Sequence, residues 1–239
     1  MKFAKFLLGG AAIAMALPMP AFAQDENVVV VTGSRSDRSS NFQYYDDSQS
    51  AIGFTRKADY FVKPIYVNSD SRGADLRRDE LFSMLRATIE QAGREGISLI
   101  AGDYGLRKLT VDNMEKLTVR SGGRPDTSQV TIYARLPVAG DDARASLANE
   151  RIETFAKSIP VTGRSFIQTG SISLAIDDPD QYRIDVVRSV ATESRRYASL
   201  FGSDYGVEIR GLDSELFWQQ ASETEVFLYI KHSFVVSPK

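Results

Sequence analysis

"ADYFVKPIYVNS", residues 58–69, followed after a polar break by "LRRDELFSMLRATIEQAG", residues 76–93, decides the architecture. The first stretch is rich in β-branched and aromatic residues and reads as a strand. Pro64 within it predicts an edge or a bulge, because a prolyl nitrogen cannot donate to a ladder. In the second stretch Leu81, Met84, Leu85, Thr88, Ile89 and Ala92 recur at helical spacing, so one stripe faces a core. Gly93 or Gly96 ends that helix. A one-faced helix fed by a strand needs a sheet to cover.

The same alternation continues toward the C-terminus. "ISLIAGDYGLRKLTV" (97–111) reads as one long or two short strands, and "RSGGRPDTSQ" (120–129) is turn chemistry. In "VTIYARLPV" (130–138), Val130, Ile132 and Ala134 alternate with Thr131, Tyr133 and Arg135, giving one buried and one wet face. A second helix runs through "DDARASLANERIETFAKSI" (141–159), with Ala148, Ile152, Phe155, Ala156 and Ile159 inward, and "RSFIQTGSISLAI" (164–176) returns as a strand. Asp178 and Pro179 then mark a third helix start. Val187, Val190, Ala191, Ser194, Tyr197, Ala198 and Phe201 form its buried face, and Gly202 closes it. "GVEIRGL" and "EVFLYIKHSFVV" (225–236) are strands, with "DSELFWQQ" (213–220) between them as an irregular crossing or short helix. The expectation is an α+β fold, with mixed or antiparallel sheet covered by three helices. It forms one domain or two small lobes, about 58–127 and 128–239, sharing a core.

Toward the N-terminus the composition changes. Residues 34–57 are polar and read as a linker, preceded by the β-prone "VVVVTGSR" (28–35). Residues 1–23 combine Lys2 and Lys5, an apolar run and Ala21-Phe22-Ala23, the pattern of a secretory signal cleaved after Ala23. The uncharged stretch Phe6–Ala23 is 18 residues, the lower limit for a span, and Pro18, Pro20 and Ala-x-Ala favour cleavage over a retained anchor. Cleavage leaves 216 residues carrying 27 basic and 31 acidic side chains, a balance of −4. That charge gives no nucleic-acid footprint, and no second apolar run is long enough to span a bilayer. The expected compartment is the periplasm.

The chain has no cysteine, which excludes disulfides, thiolate metal sites, Cys nucleophiles and lipid attachment at an N-terminal cysteine. It also lacks a G-x-S-x-G elbow, a P-loop and a G-x-G-x-x-G fingerprint. The aspartate pairs at 141–142 and 177–178 precede helices, where capping explains them without calcium. The lone histidine, His232, shares a face by alternation with Val226, Leu228, Ile230, Phe234 and Val236 and reads as a half-buried structural residue. No catalytic residue, cofactor or metal ligand is assigned. Phe217 and Trp218, a dense apolar pair inside a connection, divide between core packing and a partner interface.

Across most of residues 27–237 the chain resembles the SIMPL-domain family of exported bacterial proteins. The resemblance rests on "VVVVTGSR", "ELFSMLRATIEQAGREGISL", "QVTIYARLPV", "GRSFIQTGSISLAIDDP", "QYRIDVVRSVATESRRYASLFGSDYGVEIRGL" and "EVFLYIKHSFVV". It departs at Ser34, where the family's opening turn carries a second glycine, and in the polar insertion 34–57. What it implies is a non-enzymatic envelope protein that forms homo-oligomers, with some members linked to stress tolerance. "VVVVTGSR" also resembles a TonB box. Val28, Val29, Val30, Val31, Thr32 and Gly33 are therefore a candidate strand-pairing segment: a strand of this protein, in its own sheet or on a neighbouring subunit, or an arm that adds a strand to TonB-like machinery.

Overall fold

The computed structural model describes residues 28–31, 52–103, 105–124, 126–140 and 143–239. In chain order these form β1 (Val28–Val31), β2 (Gly53–Lys57), β3 (Tyr60–Ser69), α1 (Ala74–Glu95), β4 (Ser98–Ala101), β5 (Arg107–Lys108), β6 (Arg120–Ser121) and β7 (Ser128–Pro137). There follow α2 (Ala145–Ser158), β8 (Ser165–Thr169), β9 (Ser173–Asp177), α3 (Arg183–Ser199), β10 (Tyr205–Arg210), β11 (Leu216–Gln220), β12 (Glu225–Ile230) and β13 (Ser233–Pro238). The fold is α+β, and every strand pairing among the described residues is antiparallel.

The large sheet runs β1-β9-β3-β7-β4-β5, with β8 pairing β3 and β6 pairing β7. β3 and β7 pair along their whole length, from Tyr60↔Pro137 to Ser69↔Ser128. β3 and β4 flank β7 and are joined by α1, while β7 and β8 flank β3 and are joined by α2. Two split β-α-β units thus interleave, the connectivity of a ferredoxin-like β-α-β-β-α-β. One core cluster runs from Ala58 to Ile230, so the stretches 58–127 and 128–239 share it.

The α1 stripe buries as its spacing predicts, except that Ile89 is only partly buried and Glu80 joins the buried set. Gly96, not Gly93, ends the helix. It is left-handed at φ 67, and its N–H and that of Ile97 both close on the Ala92 carbonyl.

Pro64 sits not on an edge but opposite a bulge: between Val62↔Ser173 and Ile65↔Thr169 the facing chain carries one extra residue. β3 lies inside the sheet, and on the side away from β7 it has two successive partners: β9 along Tyr60–Val62 and β8 along Ile65–Ser69. Pro64 falls in the gap between them, and its carbonyl accepts from Gly170 on that same side. In a strand the N and the carbonyl of one residue point the same way, so the missing donor faces the gap and no ladder bond is lost. For the same reason residues 164–176 are two strands, broken at Gly170, where a Cβ would lie 2.5 Å from the Pro64 ring.

The outer face of β7 is open at Thr131 and Tyr133, which are half-buried, but closed at Arg135. Arg135 is 7 % exposed, stacks 4.5 Å over the Tyr60 ring and donates from Nε to Ser98 Oγ at 3.0 Å. Val62, Ile100 and Ala175 form a second small cluster on that face, with Tyr60, Leu106 and Tyr133 against it. On the opposite face Lys63, 4 % exposed, reaches α2, bonding Asn149 Oδ1 at 2.5 Å and Glu153 at 2.7 Å.

Of the two predicted caps, Asp141 and Asp142 lie outside the described residues; the Ala145 amide at that helix start is met by Glu223 Oε1 at 2.6 Å. The other does not form. Asp178 adopts φ 42, makes no side-chain cap, and leads into a 3₁₀ turn at Pro179–Tyr182 before α3 begins. The buried face of α3 is Val186, Val190, Ser194 and Ala198, rotated from the predicted stripe; Tyr197 and Phe201 are exposed.

Two predicted assignments near the C-terminus are overturned. Residues 213–220 carry strand β11, paired with β12 from Leu216↔Ile230 to Gln220↔Val226. Residues 225–236 are not one strand: they break at Lys231-His232, where β12 leaves a three-stranded sheet (β11-β12-β2) and β13 enters a two-stranded ribbon with β10. Together these strands make one long hairpin bent at a corner, with residues 211–215 opposite residues 231–232. Gly211 makes the close approach at φ 87, and a Cβ there would lie 2.8 Å from the Lys231 carbonyl. Finally, residues 53–57, read as the end of a polar linker, form β2 against β12.

Candidate functional site

The predicted strand-pairing segment is partly described. Val28–Val31 form β1 and pair with Asp177–Leu174 of β9, in the protein's own sheet. Thr32 and Gly33 lie outside the described residues. Phe217 and Trp218 are neighbours on β11 and therefore point to opposite faces. Trp218 packs against the main core. Phe217 faces outward, stacked on Tyr229 at 5.6 Å, which stacks on Phe227 at 5.7 Å. The Phe227 ring lies over Gly53 of the neighbouring edge strand, where a Cβ would meet it at 2.5 Å.

His232 turns its ring back on its own strand, with Nδ1 2.8 Å from the Ile230 carbonyl. A carbonyl only accepts, so Nδ1 carries the proton in this contact. His232 does not line the cleft beside β7, and among the described residues no three His, Asp or Glu side chains form a group able to hold a metal.

Two features do gather exposed chemistry. The first is the ribbon β10–β13 with the end of α3. Not one residue of either strand is buried. Val207↔Val236 and Ile209↔Phe234 share one face, and Tyr197 of α3 stacks on Phe234 at 5.6 Å. Leu200 is 76 % and Phe201 62 % exposed at the helix end, where Phe201 meets Tyr205 at 5.8 Å. The other face carries Glu208 and Arg210, which bridge one another at 2.7 Å, beside the exposed Val235. Beyond the ribbon, both long edges lack a backbone partner among the described residues.

The second is a cleft of about 330 Å³ beside β7. The β4–β5 turn brings Gly102 and Asp103, the chain entering β6 brings Lys116, Thr118 and Arg120, and β7 brings Thr131 and Tyr133. Asp103 accepts from Thr118 and from Arg120, which together hold its carboxyl below the usual range. Burial pushes the Tyr133 phenol up, helped by Tyr66, so it stays a protonated donor. These groups come from three segments, and none carries a motif that sequence reading could have singled out.

No protein-family model, curated protein or solved structure matches this chain. No helix of the described residues is long and apolar enough to cross a membrane.

Proposed function

We propose that the protein is a non-enzymatic, self-associating component of the periplasm, of SIMPL type, that acts as a scaffold in the cell envelope. The observation that supports this reading is the ribbon β10–β13, which has no buried residue, open edges and an exposed apolar margin. A two-stranded ribbon is marginal by itself, and the open edge of β10, which carries neither proline nor lysine, is a template for another strand.

The occupant this edge fits best is a second copy. An antiparallel pairing of β10 with its counterpart, centred on Ile209, sets each Glu208 opposite the other copy's Arg210. Charge pairs directly across strands stabilise, and like charges there destabilise by a similar amount, about 0.2–1 kcal/mol each. The two-fold relation makes every pair count twice. The pairing of β1 within its own sheet supports this reading over one in which Val28–Val31 are an arm for TonB-like machinery, since that arm would first have to leave β9.

Charge exchange tests it. In Glu208→Lys or Arg210→Glu the mature protein should shift toward monomer in size-exclusion chromatography with light scattering. The double exchange should restore the parent distribution. A parent protein that is monomeric at every concentration would refute self-association itself. An oligomer indifferent to all three variants would move the interface elsewhere.

A further inference from the structure

We propose that the cleft between the β4–β5 turn, the strand entering β6 and the open face of β7 is a binding site for a small oxyanion, a phosphate or carboxylate group. The inference is independent of the proposed self-association. Its basis is an imbalance of donors over acceptors. Lys116 and Arg120 bring two cations to the rim, and Thr131 and Tyr133 bring hydroxyls to the floor. The one carboxylate, Asp103, is already engaged through both oxygens: Thr118 donates to Oδ2 at 2.5 Å and Arg120 Nη2 to Oδ1 at 2.7 Å. That pairing uses one nitrogen of the guanidinium. It leaves the Lys116 ammonium and the Tyr133 hydroxyl, neither of which has a hydrogen-bond or ion-pair partner among the described residues.

A site whose fixed groups are donors and whose acceptor is spent selects a ligand that accepts at several points, and oxyanions do this best. Gly102 keeps the turn tight enough to wall the cleft: it holds φ 153, and a Cβ there would sit 2.0 Å from the Gly105 carbonyl. The volume admits a single anionic group with a small remainder, and the Tyr133 ring offers that remainder an apolar surface.

The test uses the full mature chain at constant ionic strength, followed by amide chemical shifts. Its probes are inorganic phosphate, succinate, and vesicles of phosphatidylglycerol against phosphatidylcholine. Phosphate or succinate should produce saturable shifts confined to residues 102–108, 116–121 and 130–134. Lys116→Ala and Tyr133→Phe, which break no side-chain hydrogen bond or ion pair among the described residues, should each weaken binding about fivefold or more. Sedimentation with phosphatidylglycerol vesicles that depends on the same two residues would place the anion on a lipid headgroup, and its absence would place it on a free ligand. Non-saturating shifts in every arm, or saturable shifts unchanged in both variants, would overturn the proposal.

Discussion

Glu80 lies 8 % exposed on α1, with Oε2 accepting hydrogen bonds from the Ser69 and Ser71 hydroxyls at 2.8 Å each. These bonds tie the helix to the end of β3 and hold the carboxyl below the usual range. Because the folded value is the lower one, the contribution is complete above the unfolded pKa of about 4.3. It is lost as pH falls through the folded value. Glu80→Gln should therefore be clearly less stable than the parent in urea at pH 7, with the gap closing at pH 3; an equal gap at both would refute the assignment. Gly163 backs this carboxylate at φ 57, and a Cβ there would come 2.1 Å from Oε1, so Gly163→Ala should cost about 1–3 kcal/mol. Ser194 presents the opposite case. Its hydroxyl is fully buried in α3 and has no hydrogen-bond partner. Ser194→Ala should leave the melting temperature unchanged or raise it, since removing an unsatisfied buried polar group relieves its desolvation cost.

Among the elements, β1 makes the sharpest prediction. It is held by four residues paired to one strand, so Val29→Pro with Val31→Pro removes ladder donors over half its length. Thermal unfolding should fall by several degrees while α1 and β3–β7 remain, visible as unchanged helical circular dichroism. An unchanged melting temperature would mean that the β1–β9 pairing contributes nothing to the fold. The elements also divide into those legible beforehand and those not. α1 and α2 were legible because their apolar spacing coincides with the face they bury. The stripe of α3 was read a step off, because Tyr197 and Phe201 are apolar residues that the helix leaves exposed. β11 was hidden by its glutamines and by acidic neighbours, which disguise a strand whose inward positions are only Leu216 and Trp218. Simple alternation from Val226 to Val236 concealed the corner at Lys231-His232, since a bend between sheets need not interrupt the apolar pattern. The donor-rich cleft was illegible for a further reason: its groups are close only because β4 and β6 both pair with β7.

At the scale of the molecule, a core shared from Ala58 to Ile230 predicts one cooperative transition. Fluorescence of Trp218, packed against that core, and far-ultraviolet circular dichroism should report the same midpoint; two midpoints would mean separable lobes. The ribbon is the exception to this uniformity. Lacking any buried residue, β10 and β13 should exchange amide hydrogens well before β3 and β7 in dilute protein. If β10 pairs with a second copy as proposed, raising the concentration should slow exchange in β10 more than in β13.

The position of β3 has a kinetic consequence. It is an early strand, yet both its flanks are completed by residues 128–137, 165–169 and 173–175, far along the chain. Such distant closures make folding slow, because the entropy of bringing the ends together is spent before any contact rewards it. A newly made chain therefore cannot lock its central ladder until most of its length has emerged. For a protein destined, as proposed, to cross a membrane through a narrow channel, that delay keeps the polypeptide threadable until it arrives.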